Sequence, residues 1–313
     1  MDALKVLLKQ PYWVIALVLG VGLVATPCVT IDKDYHWSPH SPSALVPVVV
    51  GIGLLILSVS AFGYTLWTKE KADEYKGAGL DLTRVSEKDG VMCTTVSGCE
   101  IRVLSGRLQD YTTDPETVIV LPCNEYFDDQ CAGDTKSALG AYVNRAFDGQ
   151  VQAFVSLVND ECRKKLGPGI AQQKTDDERA QSFGAGRCLL LRKPLGRSVT
   201  LALVSTTTQR AGQGLSARIS HLFDGMRDMV ARLADARFTE VAMPILGAGH
   251  GRIDPPLAFV GLLLAVTEAA RYGQGGQRLR RVTIIVFKQD TETAAQVDRA
   301  VVRRALALVG SQD

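Results

Sequence analysis

The rhythm of apolar positions divides the chain. Residues 11–31, PYWVIALVLGVGLVATPCVTI, and 43–67, SALVPVVVGIGLLILSVSAFGYTLW, contain no charged side chain. Each is long enough to cross a hydrocarbon core, which takes roughly 20 apolar residues. A secretory leader has a shorter apolar core, about 7–15 residues, that ends at a small-residue cleavage site. The pattern therefore predicts two transmembrane helices, a hairpin within residues 1–67. Tyr12, Trp13 and Trp67 sit at span ends, where amphipathic rings favour the headgroup zone. Lys5 and Lys9 precede the first span and Lys69, Lys71 and Lys76 follow the second, whereas the connection offers only Lys33. The excess of basic residues places both ends in the cytoplasm with the connection outside. Residues 68–90 are polar with no apolar period and read as a linker.

From about residue 91 short apolar runs alternate with helical periods. The segments CEIRVLSGRL (99–108), TVIVLPC (117–123), GRCLLLR (186–192), SVTLALVST (198–206), TEVAMPIL (239–246) and RVTIIVF (281–287) read as strands. Several are apolar at consecutive positions, as strands covered on both faces are. Over 218–236, Ile219, Leu222, Phe223, Met226, Met229, Val230 and Leu233 step by three and four, the spacing of one helix face. Residues 256–271 are apolar almost all round, too short to span a bilayer comfortably, and read as a packed core helix. A last helix is predicted over 292–309 with Val297, Val301, Ala305 and Leu308 inward. This alternation predicts a layered α/β domain over 91–313 with a mixed, largely parallel sheet.

Composition narrows the partners. A formal charge of +2 over 313 residues is nearly neutral and gives no reason to expect nucleic acid as a partner, which calls for a basic patch. The seven cysteines are odd in number and lack CxxC spacing, which fits thiols in a reducing compartment and gives no zinc site.

In such sheets ligands bind beyond the carboxyl ends of the strands. Two strand-to-helix connections stand out. In VAMPILGAGHGRIDPP (241–256) a strand runs into Gly247-Ala248-Gly249-His250-Gly251. Without Cβ atoms, backbone N–H groups there converge on an anion. A helix starting near Pro255 or Pro256 adds a favourable dipole. The alternative is a tight turn that serves only strand–helix packing. In VLPCNEYFDDQCAGDTKSALGAYV (120–143) a strand enters Pro122-Cys123-Asn124-Glu125, and a short helix begins near Ser137. An asparagine at a strand end is either a turn former or an amide that holds a ribose. Asp128 and Asp129 either stand solvated or orient a water or a cationic group. Cys123 has no histidine near it in sequence and reads as a buried thiol. His221 belongs to a helix, and His250 either bonds phosphate or covers the pocket. Residues 166–187 read as a flexible loop, and RKPLGR (192–197) as a solvated connection.

The order IRVLSGRL, TVIVLPCNEYF and VAMPILGAGHGRIDPPLA resembles the macro domain, a module that binds ADP-ribose and related nucleotides. The resemblance covers about residues 99–309 and implies a three-layer α/β/α fold without metal or resident cofactor. It implies that Asn124 holds the distal ribose, with Cys123, Glu125, Tyr126 and Gly133 beside it. It implies that Leu246, Gly247, Ala248, Gly249, His250, Gly251 and Arg252 wrap the diphosphate, and that Phe287 packs near the adenine. Two departures stand against the family pattern. Arg107 occupies the place of the usual adenine-binding aspartate, and EYFDDQCAGDTK replaces the glycine run after the asparagine.

A macro domain joined to two spans further resembles the membrane-anchored effectors of Thoeris antiphage systems. That resemblance implies a TIR-domain partner that makes an ADP-ribose-derived signal, such as an amino-acid conjugate, from NAD. It implies ligand-induced homo-oligomers that disrupt the inner membrane. The rivals are an anchored ADP-ribosyl hydrolase, for which the glycine run is missing, and a passive ADP-ribose-binding scaffold. Gly20, Gly22, Gly51, Gly53, Ser58, Ser60 and Gly63 place small residues where span helices approach closely.

Overall fold

The computed structural model describes residues 80–310, apart from 112–113, 115, 213, 273–277 and 290–293. The uncharged segments at 11–31 and 43–67 lie outside the described residues. Among the described residues no helix is long and apolar enough to cross a membrane.

Eleven strands are described. They are β1 (Ser86–Lys88), β2 (Val91–Val96), β3 (Cys99–Gly106), β4 (Thr117–Asn124), β5 (Ile170–Gln173), β6 (Arg179–Ser182), β7 (Cys188–Arg192), β8 (Thr200–Arg210), β9 (Gly214–Ala217), β10 (Glu240–Pro244) and β11 (Arg281–Phe287). The main sheet runs β1-β2-β3-β11-β10-β4-β8-β7, with β9 paired to the far end of β8. The inner strands β3, β11, β10, β4 and β8 are parallel. The outer pairings β1–β2, β2–β3, β7–β8 and β8–β9 are antiparallel. The sheet is therefore mixed with a parallel centre, as the consecutive apolar runs predict.

Period-two geometry sends neighbouring side chains to opposite faces, and here both faces are buried. Val118 and Val120 of β4 enter one core with Ala202, Val204, Val241, Met243, Val282 and Ile284. Ile119 and Leu121 enter the other with Leu201, Leu203 and Leu189. Helices α4 (Ile219–Ala236), α5 (Pro255–Tyr272) and α6 (Arg299–Gly310) cover the first face through Leu222, Met226, Phe259, Leu262, Val302 and Leu306. Helices α2 (Ala138–Ala146) and α3 (Val151–Lys165) cover the second through Leu139, Val143, Phe154 and Val158. A four-residue turn of helix, α1 (Asp129–Ala132), precedes α2.

Three boundaries differ from the sequence pattern. Part of the stretch read as a linker up to residue 90 is built into the domain. Leu82–Arg84 forms a 3-10 turn and Ser86–Lys88 an edge strand on β2. All three residues of β1 are exposed, so the ladder carries it, and no apolar alternation announces it. Val85 is buried between them, and the Arg84 guanidinium donates to the Gly310 carbonyl at 2.7 Å. Part of the stretch read as a flexible loop, 166–187, is the antiparallel hairpin β5–β6. Its residues are mostly exposed and pair only with each other, which again leaves no apolar period. The last helix starts at Arg299 rather than near 292, and it turns Leu306 inward while Leu308 is exposed.

Candidate functional site

Five parallel strands bring their carboxyl ends to one edge of the sheet, where a cleft of about 670 Å³ opens. Gly106 ends β3 and Arg107, Leu108 and Gln109 follow it, while Phe287 ends β11 and Gln289 follows it. Pro122, Cys123, Cys131 and Thr135 to Ala138 come from β4 and the connection after it. Thr206 and Thr207 come from β8, and Pro244, Ile245 and Gly247 to Gly251 from the end of β10. Arg107 and Lys136 carry full positive charges, and no aspartate or glutamate is among the described lining residues.

The β10–α5 connection is built from backbone. Gly247 and Gly249 take the left-handed conformation, with φ of 81° and 61°. The Arg252 N–H donates to the Gly249 carbonyl at 3.0 Å and the Ile253 N–H to the Gly247 carbonyl at 3.2 Å. A Cβ on Gly251 would lie 2.4 Å from the Gly247 oxygen and 2.7 Å from the Ala217 Cβ, so the turn closes only on glycine. The Ala217 N–H ties the loop to the chain before α4 by donating to the Gly251 carbonyl at 2.9 Å. The Asp254 carbonyl accepts the first helical bond, from Ala258 N–H at 2.8 Å, and Pro255 and Pro256 fill positions whose N–H groups a helix start leaves unpaired.

The β4 connection is built from side chains. Asn124 is buried, its Nδ2 donating to Asp128 Oδ1 at 2.8 Å and its Oδ1 accepting the Tyr126 N–H at 3.0 Å. Glu125 is 1% exposed. Its carboxylate accepts from the Ser182 hydroxyl at 2.7 Å, the Gln209 N–H at 3.0 Å and the Arg210 guanidinium. The Tyr126 hydroxyl donates to the Gln209 carbonyl at 3.2 Å. Phe127 takes a left-handed φ of 54° and packs edge-on against Phe183, ring centroids 6.0 Å apart. Lys174, 7% exposed, pairs with Asp128 at 2.8 Å and Glu178 at 3.3 Å. The β5–β6 hairpin is thus pinned to this connection. Ser137 then caps α2, its hydroxyl accepting the Gly140 N–H at 2.8 Å.

The two connections meet at the rim, where His250 Nε2 stands 3.0 Å from Asp134 Oδ2. Cys123 lines the cleft, but burial and the surrounding thiols push its pKa well above the ordinary range. Cys131 beside it is pushed up to about 12 by burial. Thiolates are the reactive form, so this wall is apolar and inert at neutral pH.

Of the residues singled out from sequence, Cys123, Gly247, Ala248, Gly249, His250, Gly251, Phe287 and Arg107 line the cleft. Asn124, Glu125, Tyr126 and Asp128 are bonded within the connection after β4 and to β8, and none of them is among the lining residues of the cleft. Gly133, Leu246 and Arg252 flank the lining residues without joining them, and Asp129 opens α1. The Arg107 guanidinium donates twice to the Gln289 carbonyl, at 3.0 and 2.7 Å, which bridges the ends of β3 and β11.

A family model described as the macro domain of the Thoeris protein ThsA matches residues 107–287, more than half of the 313-residue chain. The chain belongs to this macro-domain family. Among solved structures, the macrodomain of Oceanobacillus iheyensis with MES bound is similar at 10% identity and a TM-score of 0.49, over 71% of this chain and 98% of that one. The macrodomain of Thermus aquaticus DarG is similar at 19% identity and a TM-score of 0.36, over 59% and 97%. The Trypanosoma brucei macrodomain in complex with ADP-ribose is similar at 12% identity and a TM-score of 0.41, over 67% and 69%. No curated protein matches the chain.

The macro domain also brings to its cleft residues that motif reading passes over. Thr135, Lys136, Ser137, Thr206, Thr207, Gln109 and Gln289 all line it. Ser137 had a legible signal, a serine just before a helical period. Thr206 and Thr207 sit in an ordinary strand pattern, and only the position of β8 beside β4 brings them to the site.

Proposed function

We propose that this chain is a membrane-anchored nucleotide sensor and effector. Its macro domain binds an ADP-ribose derivative made from NAD by a TIR-domain partner. Copies of the chain then assemble, and the segments at 11–31 and 43–67 disrupt the inner membrane in antiphage defence. Both ends of the chain face the cytoplasm, where the signal is made.

The charge of the cleft wall carries the ligand reading. Arg107, Lys136 and the glycine loop face a volume with no carboxylate among the described lining residues. Left-handed glycines at 247 and 249 keep the loop free of side-chain bulk, as close approach of an anion requires. Leu108, Ile245 and Phe287 add apolar surface on which a base stacks. A volume of about 670 Å³ suits a ligand of dinucleotide size.

Calorimetric titration of the full chain in detergent with ADP-ribose and its amino-acid conjugates tests the binding step. Chromatography of the recovered ligand reads any turnover. Dye release from vesicles and native gels, each with and without ligand, test assembly and membrane disruption. Tight binding with ligand-dependent release supports the reading. Binding without release leaves a scaffold, and rapid turnover makes the protein a hydrolase.

A further inference from the structure

Ser205, Thr206 and Thr207 place three hydroxyls in a row on β8, and their surroundings differ. The Ser205 hydroxyl donates to the Gly184 carbonyl at 2.8 Å and accepts the Arg187 N–H at 2.9 Å. The Thr207 hydroxyl donates to the Cys123 carbonyl at 3.4 Å. Thr206 is fully buried, and its hydroxyl makes no hydrogen bond among the described residues. Among the described residues that line the cleft, it alone holds a buried side-chain oxygen without a partner. A hydroxyl left unpaired in the interior is destabilising. Valine has the same shape and carries no such penalty, so packing does not account for threonine here.

The place of Thr206 indicates what its hydroxyl meets. The Thr206 carbonyl lies 3.2 Å from His221 Nδ1 in the first turn of α4. The chain just before that helix is bonded to the glycine loop through Ala217 and Gly251 at 2.9 Å. Thr206 and the loop therefore share one wall of the cleft. The loop is held on its outer side by the exposed His250–Asp134 contact, a type of pair worth no more than about 1 kcal/mol. Thr206 is closed off beneath a loop that is weakly held at its rim.

We propose that Thr206 is a specificity-determining residue of the cleft, whose hydroxyl donates to the diphosphate of the bound nucleotide when the 247–251 loop shifts to admit it. This rests on the ligand reading given above. It adds a side-chain donor from β8 to the backbone donors of the loop. A hydroxyl donor to an anionic oxygen is among the stronger hydrogen bonds, and its loss weakens binding by about tenfold or more.

The test compares the full chain with Thr206→Val and Thr206→Ser, titrating each with ADP-ribose and with adenosine and recording each melting temperature. The expected result is a loss of about tenfold or more for ADP-ribose in the valine variant. Adenosine affinity is unchanged and the ligand-free melting temperature is equal or higher. Thr206→Ser keeps the hydroxyl and retains most of the ADP-ribose affinity. Equal ADP-ribose affinity of wild type and Thr206→Val overturns the assignment. An equal loss for ADP-ribose and adenosine overturns the diphosphate contact. If wild type binds neither compound, the ligand reading itself fails and takes this inference with it, an outcome separate from the other two.

Discussion

The two connections that frame the cleft solve the same problem by opposite means. The β10–α5 loop is shaped by backbone, with two left-handed glycines and a third whose Cβ position is already filled by a carbonyl. The β4–α2 connection is shaped by side chains, with Asn124, Asp128 and Lys174 bonded in one set and Glu125 held by Ser182, Gln209 and Arg210 in another. A backbone-built loop keeps its N–H groups clear for a ligand and responds to any added Cβ. A side-chain-built connection takes its shape from bonds to its neighbours, here Lys174, Ser182, Gln209 and Arg210.

The largest expected effect falls on the side-chain network. Glu125→Ala leaves Ser182, the Gln209 N–H and Arg210 without their acceptor. Breaking a buried charged network of this kind costs about 3 kcal/mol. For a domain of this size that corresponds to a melting temperature lower by roughly 10 °C, readable by calorimetry. A shift under about 2 °C would make the two connections alike in how they are held.

Gly251→Ala comes next. The added methyl meets a carbonyl oxygen and another Cβ, neither of which is a flexible side-chain end. Overpacking of this kind costs about 1–3 kcal/mol, and the displaced loop loses nucleotide affinity measurably in titration. Gly249→Ala is the control. Nothing lies within 4 Å of its Cβ position, so only the left-handed backbone resists the change, at about 1 kcal/mol. Equal damage from the two substitutions would argue against a sterically closed turn.

Lys174→Met sharpens the comparison through pH. Burial works against the Lys174 charge, but the carboxylates of Asp128 and Glu178 outweigh it and raise the amine above its ordinary value of 10.5. A raised folded value means that the stabilisation is complete below the unfolded value and disappears as pH rises through the folded one. The variant is therefore less stable than wild type at neutral pH, by about 1–2 kcal/mol. The gap closes only above pH 10.5, which denaturant titrations at neutral and alkaline pH would reveal.

The smallest effect concerns the rim. Asp134→Asn removes the charge opposite His250 but keeps an oxygen to accept the Lys136 N–H, now bonded at 2.9 Å. Stability should change by less than about 0.5 kcal/mol. Stopped-flow association of ligand should quicken a few-fold, and an unchanged rate would show that the rim contact does not hold the loop.

Much of the fold was legible because buried strands and amphipathic helices impose periods on the apolar residues. The tight turn at 247–251 was legible too, since its glycines permit the left-handed backbone at Gly247 and Gly249 and the close approach at Gly251. The edge strand β1 and the β5–β6 hairpin were not, because backbone ladders hold them while their side chains face solvent. Asn124 and Asp128 are bonded to each other, and Asp128 pairs with Lys174 of the hairpin, a placement that no local pattern announces.

By itself the sequence determined the two long uncharged segments, the alternation of strands and helices, and the places where strands give way to a glycine-rich loop and to a polar connection. These follow from local rules of burial, charge and backbone freedom. The tertiary structure alone decided which loops face each other and which polar groups bond to one another. It also left the Thr206 hydroxyl at the cleft wall without a hydrogen-bond partner among the described residues. Such facts depend on strand order, since β8 reaches the site only by pairing with β4, far from it along the chain. No local pattern records which distant strand will become the neighbour.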